Sequence, residues 1–330
     1  MLLSHALVKQ QRILQQLDVL SKMASFWGGD LNIIRLHNYD GSFVSYQLNG
    51  KRKYDIAKVA QGVSVVHLYG EHLKGVKTVN PCLAEQKKIS RFLSLLDERI
   101  AVQNRLIEDL KKLRCAIIEN VFCSPNHNES ALRFKGNTDP LSTYRMEDFC
   151  SRITRKNKDN QCSLVLTIAA QYGLVDQESF FNKTVASENL AGYYLLHKGE
   201  FAYNRSYSAG YDWGAVKRLE KYPEGVLSTL YICFKIDESA VDSDYLAYYF
   251  ESTKWHKGLS DIAGEGARNH GLLNVSVNDY FNTRHRFHCM REQKIIASML
   301  NVISQKENDE IALYDNYQKQ KQYLLRKMFI

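Results

Sequence analysis

The chain of 330 residues is long enough for two or more domains. Its 44 Lys and Arg against 36 Asp and Glu give a net charge of +8, which favours an anionic partner without singling out DNA. Its seven cysteines form no CxxC pair, so the sequence indicates neither a zinc site nor a disulfide framework, and free thiols are typical of a reducing cytosol. No apolar run approaches the roughly 18 residues that span a membrane, and the first residues lack the pattern of a secretion signal. These features predict a soluble cytoplasmic protein.

The N-terminal part of the chain has two kinds of pattern. Residues 1–30 contain leucines at helical spacing, which predict an amphipathic helix. Residues 31–36, 43–48 and 63–70 alternate in hydrophobicity and predict strands.

Residues 82–122 are predicted to form one long helix, because the segment has no Gly or Pro and is rich in strong helix formers. Its apolar residues recur at the a and d positions of a heptad, which predicts a coiled-coil seam. The seam residues are Ile89, Leu93, Leu96, Ile100, Ile107, Leu110, Ile117 and Val121.

The next segments predict a linker and a mixed domain. Residues 123–134 are a polar linker around Pro125, and residues 135–288 predict a compact α+β domain. Its predicted strands are residues 163–170, 191–197, 200–204 and 226–236, and residues 242–256 predict a short helix capped by Ser243 or Asp244.

The last segment, residues 289–330, repeats the first long helix. Residues 289–329 align with 82–122 without a gap, and nine of the 41 positions are identical. The same heptad frame gives a second seam that includes Leu300, Ile303, Tyr314, Tyr317 and Leu324. A weaker repeat relates residues 31–81 to 231–288, so that 40–48 parallels 242–250. A helix of about 40 residues is a rod of about 60 Å.

This order of segments resembles the specificity (S) subunit of type I restriction–modification systems. The matching strings are PCLAEQKKI (81–89) and REQKII (291–296) at the helix starts, and FAYNRS (201–206), GAVKRL (214–219), GVLS (225–228) and GARNHGLL (266–273) in the domain between them. The likeness covers about residues 31–330. One departure is that residues 1–81 correspond only to the distal part of a first target-recognition domain, whereas residues 135–288 correspond to a complete second one.

The resemblance implies an α+β fold in which target-recognition domains are joined by two long antiparallel helices that form a coiled-coil spacer. It implies sequence-specific binding of double-stranded DNA at a bipartite site, as part of a defence against foreign DNA. The implied partners are methyltransferase (M) subunits, which use S-adenosylmethionine, and a motor-nuclease (R) subunit, which uses ATP and Mg²⁺. No cofactor is implied for this chain, and two chains could pair to restore a two-part reader.

Catalytic motifs are missing from the sequence. The four prolines are isolated, so there is no Asp/Asn-Pro-Pro-Tyr/Phe loop for adenine methylation, and there is no GxxxxGK[ST] phosphate loop or HExxH metal motif. Two nuclease-like strings, Glu-Gln-Lys at 85–87 and 292–294, stand at helix starts, where a role in packing or subunit contact is favoured over catalysis. The chain is predicted to be non-catalytic and to bind no metal.

Three groups of residues are candidates for contact with DNA, because Lys and Arg bind phosphates while Arg, Asn and aromatic groups can also read bases. Each group has a structural alternative: a solvated basic loop for the first, and fold maintenance for the other two. The groups are Arg152, Arg155 and Lys156; Asn204, Arg205 and Tyr207; and Arg268, Asn269 and His270. Lys217 and Arg218 are weaker candidates.

Three other interpretations remain open at this point. The chain could be a coiled-coil scaffold that binds proteins without DNA preference. It could be a stand-alone nuclease or methyltransferase, which the missing motifs disfavour. It could also be a shortened S subunit that is non-functional or serves as a recombination donor.

Overall fold

The computed structural model describes residues 34–59, 70–136, 139–182, 189–206, 210–262, 273 and 275–329. The chain divides into two compact units: unit 1 comprises Met1–Asp109 and Glu307–Ile330, and unit 2 comprises Leu110–Lys306. The helix predicted in residues 1–30, residues 31–33 of one predicted strand and residues 63–69 of another lie outside the described residues, and residues 34–36 form no strand. Within the described ranges, no helix combines the length and apolar character that crossing a membrane requires.

The helices of the described chain include two that are much longer than the rest. In chain order they are α1 (Gly41–Asn49), α2 (Lys53–Val59), α3 (Gly70–Lys74), α4 (Leu83–Val121), α5 (Gln177–Phe181), α6 (Ser243–Tyr249), α7 (His256–Ser260), α8 (Val277–Asn282) and α9 (Met290–Lys327). The two long helices, α4 and α9, each continue through both units.

The long helices pack antiparallel within unit 1. Asp97 of α4 forms an ion pair with Lys321 of α9, and further along α4 Gln103 hydrogen-bonds Glu310, so rising numbers on one helix meet falling numbers on the other. Every a and d position of the predicted heptad frame is buried or half-buried in both helices. Leu93, Ile100, Ile107 and Leu300 are buried, whereas Leu96, Leu110, Ile303, Tyr314, Tyr317 and Leu324 are half-buried. The predicted pair of long antiparallel helices is confirmed.

Unit 1 is helical in its described residues and contains no strand there. The strand predicted at residues 43–48 is wrong, because this segment lies in α1. The Asp40 carboxylate accepts a hydrogen bond from the backbone N of Phe43 (2.8 Å) and so caps the helix. Phe43 and Gln47, one turn apart, are both buried, and this helical spacing overrides the strand preference of the β-branched and aromatic residues.

Unit 2 holds all the described strands. They are β1 (Ser142–Arg145), β2 (Cys150–Arg152), β3 (Leu166–Ala169), β4 (Gly173–Asp176), β5 (Tyr194–His197), β6 (Phe201–Asn204), β7 (Ala215–Arg218), β8 (Glu224–Leu227), β9 (Ile232–Ile236) and β10 (Arg284–Phe287). A four-stranded antiparallel sheet has the order β2-β9-β6-β7, and β1–β10, β3–β4 and β5–β8 form two-stranded antiparallel pairs. The helices and antiparallel sheets confirm the predicted α+β class.

The four-stranded sheet is buried on both faces, because successive side chains of a strand point to opposite sides. On one face Phe201 and Phe234 are paired across β6 and β9 and stack with ring centroids 5.4 Å apart, in a core that also contains residues of α6 and α8. On the other face Ala202 and Cys233 pack with Leu166 in a second core. The apolar runs of β6 and β9 follow from this two-sided burial.

Two predictions in this unit need correction. Residues 226–236 were predicted as one strand, but a turn at 228–231 divides them into β8 and β9. Residues 242–256 were predicted as one helix, but they form α6 and the start of α7, with a turn between them. The cap of α6 is Asp242 rather than Ser243 or Asp244, since its carboxylate accepts a hydrogen bond from the backbone N of Tyr245 (2.9 Å).

The internal repeat reappears as equivalent contacts in each unit. In unit 1 the side chain of Gln86 accepts from the backbone N of Asp40 (2.9 Å) and donates to the carbonyl of Pro81 (2.8 Å). In unit 2 Gln293 accepts from the backbone N of Asp242 (2.8 Å) and donates to the carbonyl of His288 (2.8 Å). Each glutamine therefore fastens the capped start of a short helix to the start of a long one.

A second pair of equivalent contacts involves the last aromatic residue of each repeat. Phe329 packs on Phe43 of α1, with ring centroids 5.3 Å apart. Phe122 packs on Tyr245 of α6, at 5.0 Å. The identical positions of the repeat thus have a physical role within each unit, where they join the short helix to the long helices.

Candidate nucleic-acid interface

Two of the predicted basic residues surround the aromatic ring of Tyr194 on β5. Arg152, the last residue of β2, is exposed, and its guanidinium lies 3.4 Å from the Tyr194 hydroxyl. The Lys156 ammonium lies 4.1 Å from the centre of the Tyr194 ring and donates to the carbonyl of Gly192 (2.8 Å). Arg152 is in no ion pair among the described residues, so its charge is available to an anion such as phosphate.

Arg155 is held more firmly within the unit. Its Nε donates to the carbonyl of Leu195 (3.2 Å), and its terminal nitrogen forms an ion pair with Glu200 (2.6 Å). The Glu200 carboxylate also accepts from the backbone N of His197 (2.7 Å). Because Glu200 offsets its charge, Arg155 contributes less to a positive surface than Arg152 does.

Burial controls the chemistry of the Cys233 thiol, on which Arg152 acts electrostatically. The side chain of Cys233 lies in the core behind β2, and burial, with a smaller contribution from Glu200, raises its pKa to about 12, although nearby Arg152 acts in the opposite direction. The thiol is therefore protonated at neutral pH and is not a nucleophile. The described residues also contain no group of three or more His, Cys, Asp or Glu side chains that could hold a metal ion.

Asn204 ends β6 in a tightly packed turn. Its side-chain oxygen accepts from the backbone N of Ser206 (3.0 Å). Gly214, which precedes β7, has φ +74°, and a Cβ there would stand 2.0 Å from the Asn204 carbonyl oxygen, so only glycine fits. Tyr203 is fully buried, donates to the carbonyl of Trp213 (2.9 Å) and stacks on Tyr280 at 4.7 Å.

These contacts give the strings 201–206 and 214–219 a structural explanation. They form the adjacent antiparallel strands β6 and β7 and the close approach between them. Arg218 also has internal partners, since its guanidinium pairs with Glu220 (2.8 Å) and Asp244 (2.7 Å) and donates to Ser243 (2.7 Å). It joins β7 to α6, whereas Lys217 is half-buried on the same strand.

Arg205 is tied to the backbone of two other segments. Its two terminal nitrogens donate to the carbonyls of Val275 (3.1 Å) and Leu230 (3.1 Å). The other predicted members of these groups, Tyr207, Arg268, Asn269 and His270, lie outside the described residues. The structure therefore brings Arg152 and Lys156 together and places Asn204 and Arg205 at a different end of the strands.

An exposed aromatic group lies beside the β3–β4 hairpin and is absent from the residues predicted above. Tyr172 is 72% exposed and Phe180 of α5 is 44% exposed, and their ring centroids are 6.5 Å apart. Phe181 lies 5.1 Å from Phe180. Exposed rings can stack on bases or pack on protein. The signal in the sequence was an aromatic residue next to the glycine of a hairpin turn, at Tyr172-Gly173.

The central glutamine of each Glu-Gln-Lys string is buried and has a packing role. Gln86 and Gln293 are 1% exposed and make the equivalent hydrogen bonds described above. Glu292 is fully buried and pairs with Arg133, whereas Glu85 is exposed. The strings thus contribute to the junction between short and long helices.

No protein-family model and no curated protein matches the chain. Among solved structures it is similar to a type I restriction–modification system S subunit from M. genitalium, with a TM-score of 0.53 and 15% identity over 89% of this chain and 73% of that one. It also matches the HsdS subunit from Thermoanaerobacter tengcongensis (TM-score 0.47, 13% identity, 88% and 70% covered). A structure concerned with complex assembly and conformational transition of the type I R-M system matches similarly (TM-score 0.48, 14% identity, 87% and 70% covered). The chain has the fold of the type I restriction–modification S subunit.

Proposed function

We propose that this chain is a DNA-specificity subunit, which binds double-stranded DNA sequence-specifically and directs the enzymes of a type I restriction–modification complex. The observation that carries the proposal is the fold shared with an S subunit over 89% of the chain. The internal repeat supports it, because a duplicated module suits a target in two parts. The exposed Arg152 beside Lys156 supplies a basic surface suited to phosphate.

Within this proposal, unit 2 does most of the reading. All the described strands lie in unit 2, together with the basic residues around Tyr194, whereas the described part of unit 1 is helical. A recognition module needs loops held by a rigid scaffold, and the two-sided core of unit 2 is such a scaffold. We therefore expect one part of a bipartite site to contribute more discrimination than the other.

The chain itself performs no chemistry in this proposal. Methyltransferase subunits would supply methyl transfer with S-adenosylmethionine, and a motor-nuclease subunit would use ATP and Mg²⁺. This chain would supply the DNA sequence at which they act, and two chains could associate to complete a two-part reader. Turnover by the purified chain alone, with DNA, Mg²⁺ and labelled S-adenosylmethionine, would overturn this division of labour.

Selection from a random duplex library tests the proposal directly. The purified chain should enrich one motif, and an unlabelled duplex of that motif should compete about 10³-fold or more better than a scrambled duplex at the same salt concentration. Mapping methylated adenines in cells with and without the gene should return the same motif. Enrichment of no motif would contradict the proposal.

The coiled-coil scaffold is the second candidate, and the buried heptad seam of α4 and α9 is the observation in its favour. A scaffold would show only salt-sensitive background binding to DNA, equal for all sequences. Competition by a selected motif therefore separates the two functions in a single experiment.

A further inference from the structure

Arg205 stands where three segments of unit 2 meet. It follows β6 directly, and its backbone carbonyl accepts a hydrogen bond from the backbone N of Leu273 (2.9 Å). One terminal nitrogen of its guanidinium donates to the carbonyl of Val275, and the other donates to the carbonyl of Leu230, each at 3.1 Å. A single residue thus fastens the turn at 228–231, Leu273 and Val275 to the end of β6.

The guanidinium of Arg205 uses its donor groups mainly for hydrogen bonds within the protein. Arginine has five N–H donors in a planar fork, and it reads a guanine through two neighbouring donors on one edge. The Nε of Arg205 is buried and has no hydrogen-bond partner among the described residues, so the edge that includes Nε is closed to DNA. The two terminal nitrogens already donate to carbonyls on two different segments.

One of the segments that Arg205 joins lies at the surface. Leu230, at the turn between β8 and β9, is 57% exposed, so the turn stands at the surface. Residues 273–275 follow, in sequence, the predicted DNA-contacting residues Arg268, Asn269 and His270. A loop that reads DNA must be held within about 0.5 Å of its productive position by interactions behind it.

We propose that Arg205 is a positioning residue for DNA recognition: it holds the 228–231 turn, Leu273 and Val275 in register at the end of β6 and does not itself contact DNA. This inference rests on the proposed function for its effect on DNA, but the tie between the segments can be tested without DNA. It replaces the base-reading role that the sequence suggests for this residue.

Substitution by lysine is the sharpest perturbation, because it keeps the charge and removes the fork. One ammonium on a flexible chain cannot reproduce two directed hydrogen bonds to separate segments. Arg152→Lys is the matched control, since Arg152 is exposed and the only hydrogen bond of its side chain in the described structure is the one of 3.4 Å to Tyr194.

Hydrogen exchange of the DNA-free chain tests the tie. In Arg205→Lys, the amide of Leu273 and those of residues 228–232 should exchange about tenfold faster than in the wild type, whereas Arg152→Lys should leave them unchanged. Unchanged exchange in Arg205→Lys would overturn the proposal.

Labelling with phenylglyoxal examines the wild-type chain and needs no folded variant. Arg152 should react in the free chain and be protected by the selected duplex, whereas Arg205 should react poorly with or without DNA because its guanidinium is engaged. Ready labelling of Arg205 that the duplex suppresses would show direct contact and overturn the proposal.

Salt-dependent binding then distinguishes the role of Arg205 from a direct one. Arg205→Lys should weaken binding to the selected duplex by about tenfold or more, with the slope of log affinity against log salt unchanged, because no phosphate contact is lost. Arg205→Gln should give the same slope, whereas a slope lower by about one would identify a phosphate contact and overturn the proposal. If Arg205→Lys instead relaxed the discrimination at a single base pair and left hydrogen exchange unchanged, it would identify a base contact. That result would also overturn the proposal. If the wild type selects no motif, the proposed function fails. Hydrogen exchange and labelling of the free chain would still show whether Arg205 holds these segments together.

Discussion

The same glutamate of the repeat occupies two different environments at the starts of the long helices. Glu85 is exposed at the start of α4. Glu292, its equivalent on α9, is fully buried and accepts hydrogen bonds from Arg133. The hydrogen bond to Glu292 is also the largest factor that raises the pKa of Arg133, against the effect of burial. The glutamate is thus part of a buried ion pair in only one of its two positions in the repeat.

Removal of Arg133 should therefore be costly. Arg133→Ala leaves a buried carboxylate without its cation, and we expect the free energy of unfolding to fall by about 3 kcal/mol or more. The matched control is Glu85→Ala, which should change it by about 0.5 kcal/mol or less because Glu85 is exposed. Urea unfolding followed by tryptophan fluorescence compares the two variants. Equal losses of unfolding free energy would show that the buried Arg133–Glu292 pair contributes no more than an exposed residue.

A buried histidine gives unit 2 a pH dependence. His285 is 2% exposed and lies in a chain of hydrogen bonds: the Tyr249 hydroxyl is 3.0 Å from Nδ1, and Nε2 is 2.8 Å from the Thr283 hydroxyl, which donates to the Tyr280 carbonyl. Since the Thr283 hydroxyl is already a donor there, Nε2 carries the proton and Nδ1 accepts. The neutral ring satisfies this chain, and burial lowers the pKa of His285 to about 3.

The sign of the pH effect follows from that depressed pKa. In the unfolded chain His285 takes up a proton near pH 6.5, whereas in the folded chain it does so only near pH 3. The stability is complete above pH 6.5 and falls by about 1.4 kcal/mol per pH unit below it for this one group. His285→Gln should reduce the slope of unfolding free energy between pH 6.5 and 4 by that amount. An unchanged slope in urea unfolding at four pH values would contradict it.

On the scale of the helices, a buried polar layer lies within the seam of α4 and α9. Gln103 and Glu310 occupy the same position of the repeat, are 8% and 7% exposed, and hydrogen-bond one another. Gln103 also donates to the Glu310 backbone carbonyl (3.1 Å). An amide facing a carboxylate is complementary, whereas two carboxylates are not, so this layer disfavours the pairing of two α9 helices with each other.

Exchange of these two side chains tests whether complementarity or identity matters. Gln103→Glu alone sets two carboxylates against each other and should lower the free energy of unfolding by about 1–3 kcal/mol. The swapped double variant, Gln103→Glu with Glu310→Gln, restores an amide–carboxylate pair and should recover most of that loss. Double-mutant analysis of urea midpoints measures the coupling, and additive effects of the two substitutions would rule out a specific pair.

The helices also show which elements a sequence can predict. The seam was predictable because a heptad repeat over 40 residues is a long signal that no single side chain can obscure. The segment 43–48 was not, because its residue types favour a strand, and the buried Gln47 gave no apolar signal for a helical face. Its repeat partner at 242–250 pointed to a helix, so internal equivalence was more informative there than local composition.

The predicted site depended on information that a sequence lacks. Arg152 and Arg155 are three residues apart, chemically alike and both exposed, yet Glu200, 45 positions from Arg155, forms an ion pair with Arg155 and not with Arg152. Arg205 resembles a base-reading residue in its sequence neighbourhood, but its partners, the carbonyls of Leu230 and Val275, come from distant positions. Long-range partners of this kind appear only after the strands are in place.

On the scale of the whole molecule, the two units contain the same helical junction but different cores. Helices α1 and α6 each have an Asp N-cap and the same glutamine contact. Around α6 the core is large and aromatic, and Tyr245, Leu246 and Tyr249 are fully buried. Around α1 the described core consists of two small clusters, which centre on Phe43 and on Leu48.

This difference predicts unequal local stability. Among the described residues, α1 buries the apolar side chains of Phe43 and Leu48, whereas α6 buries those of Tyr245, Leu246 and Tyr249, so the free energy of opening α1 should be lower. Hydrogen exchange, corrected for intrinsic rates, should show amides of residues 44–49 about tenfold or more less protected than those of residues 246–250. The shared cap and glutamine contact serve as the internal control, because they are present in both helices. Equal protection would mean that these shared polar contacts, rather than the size of the core, set the stability of the junctions.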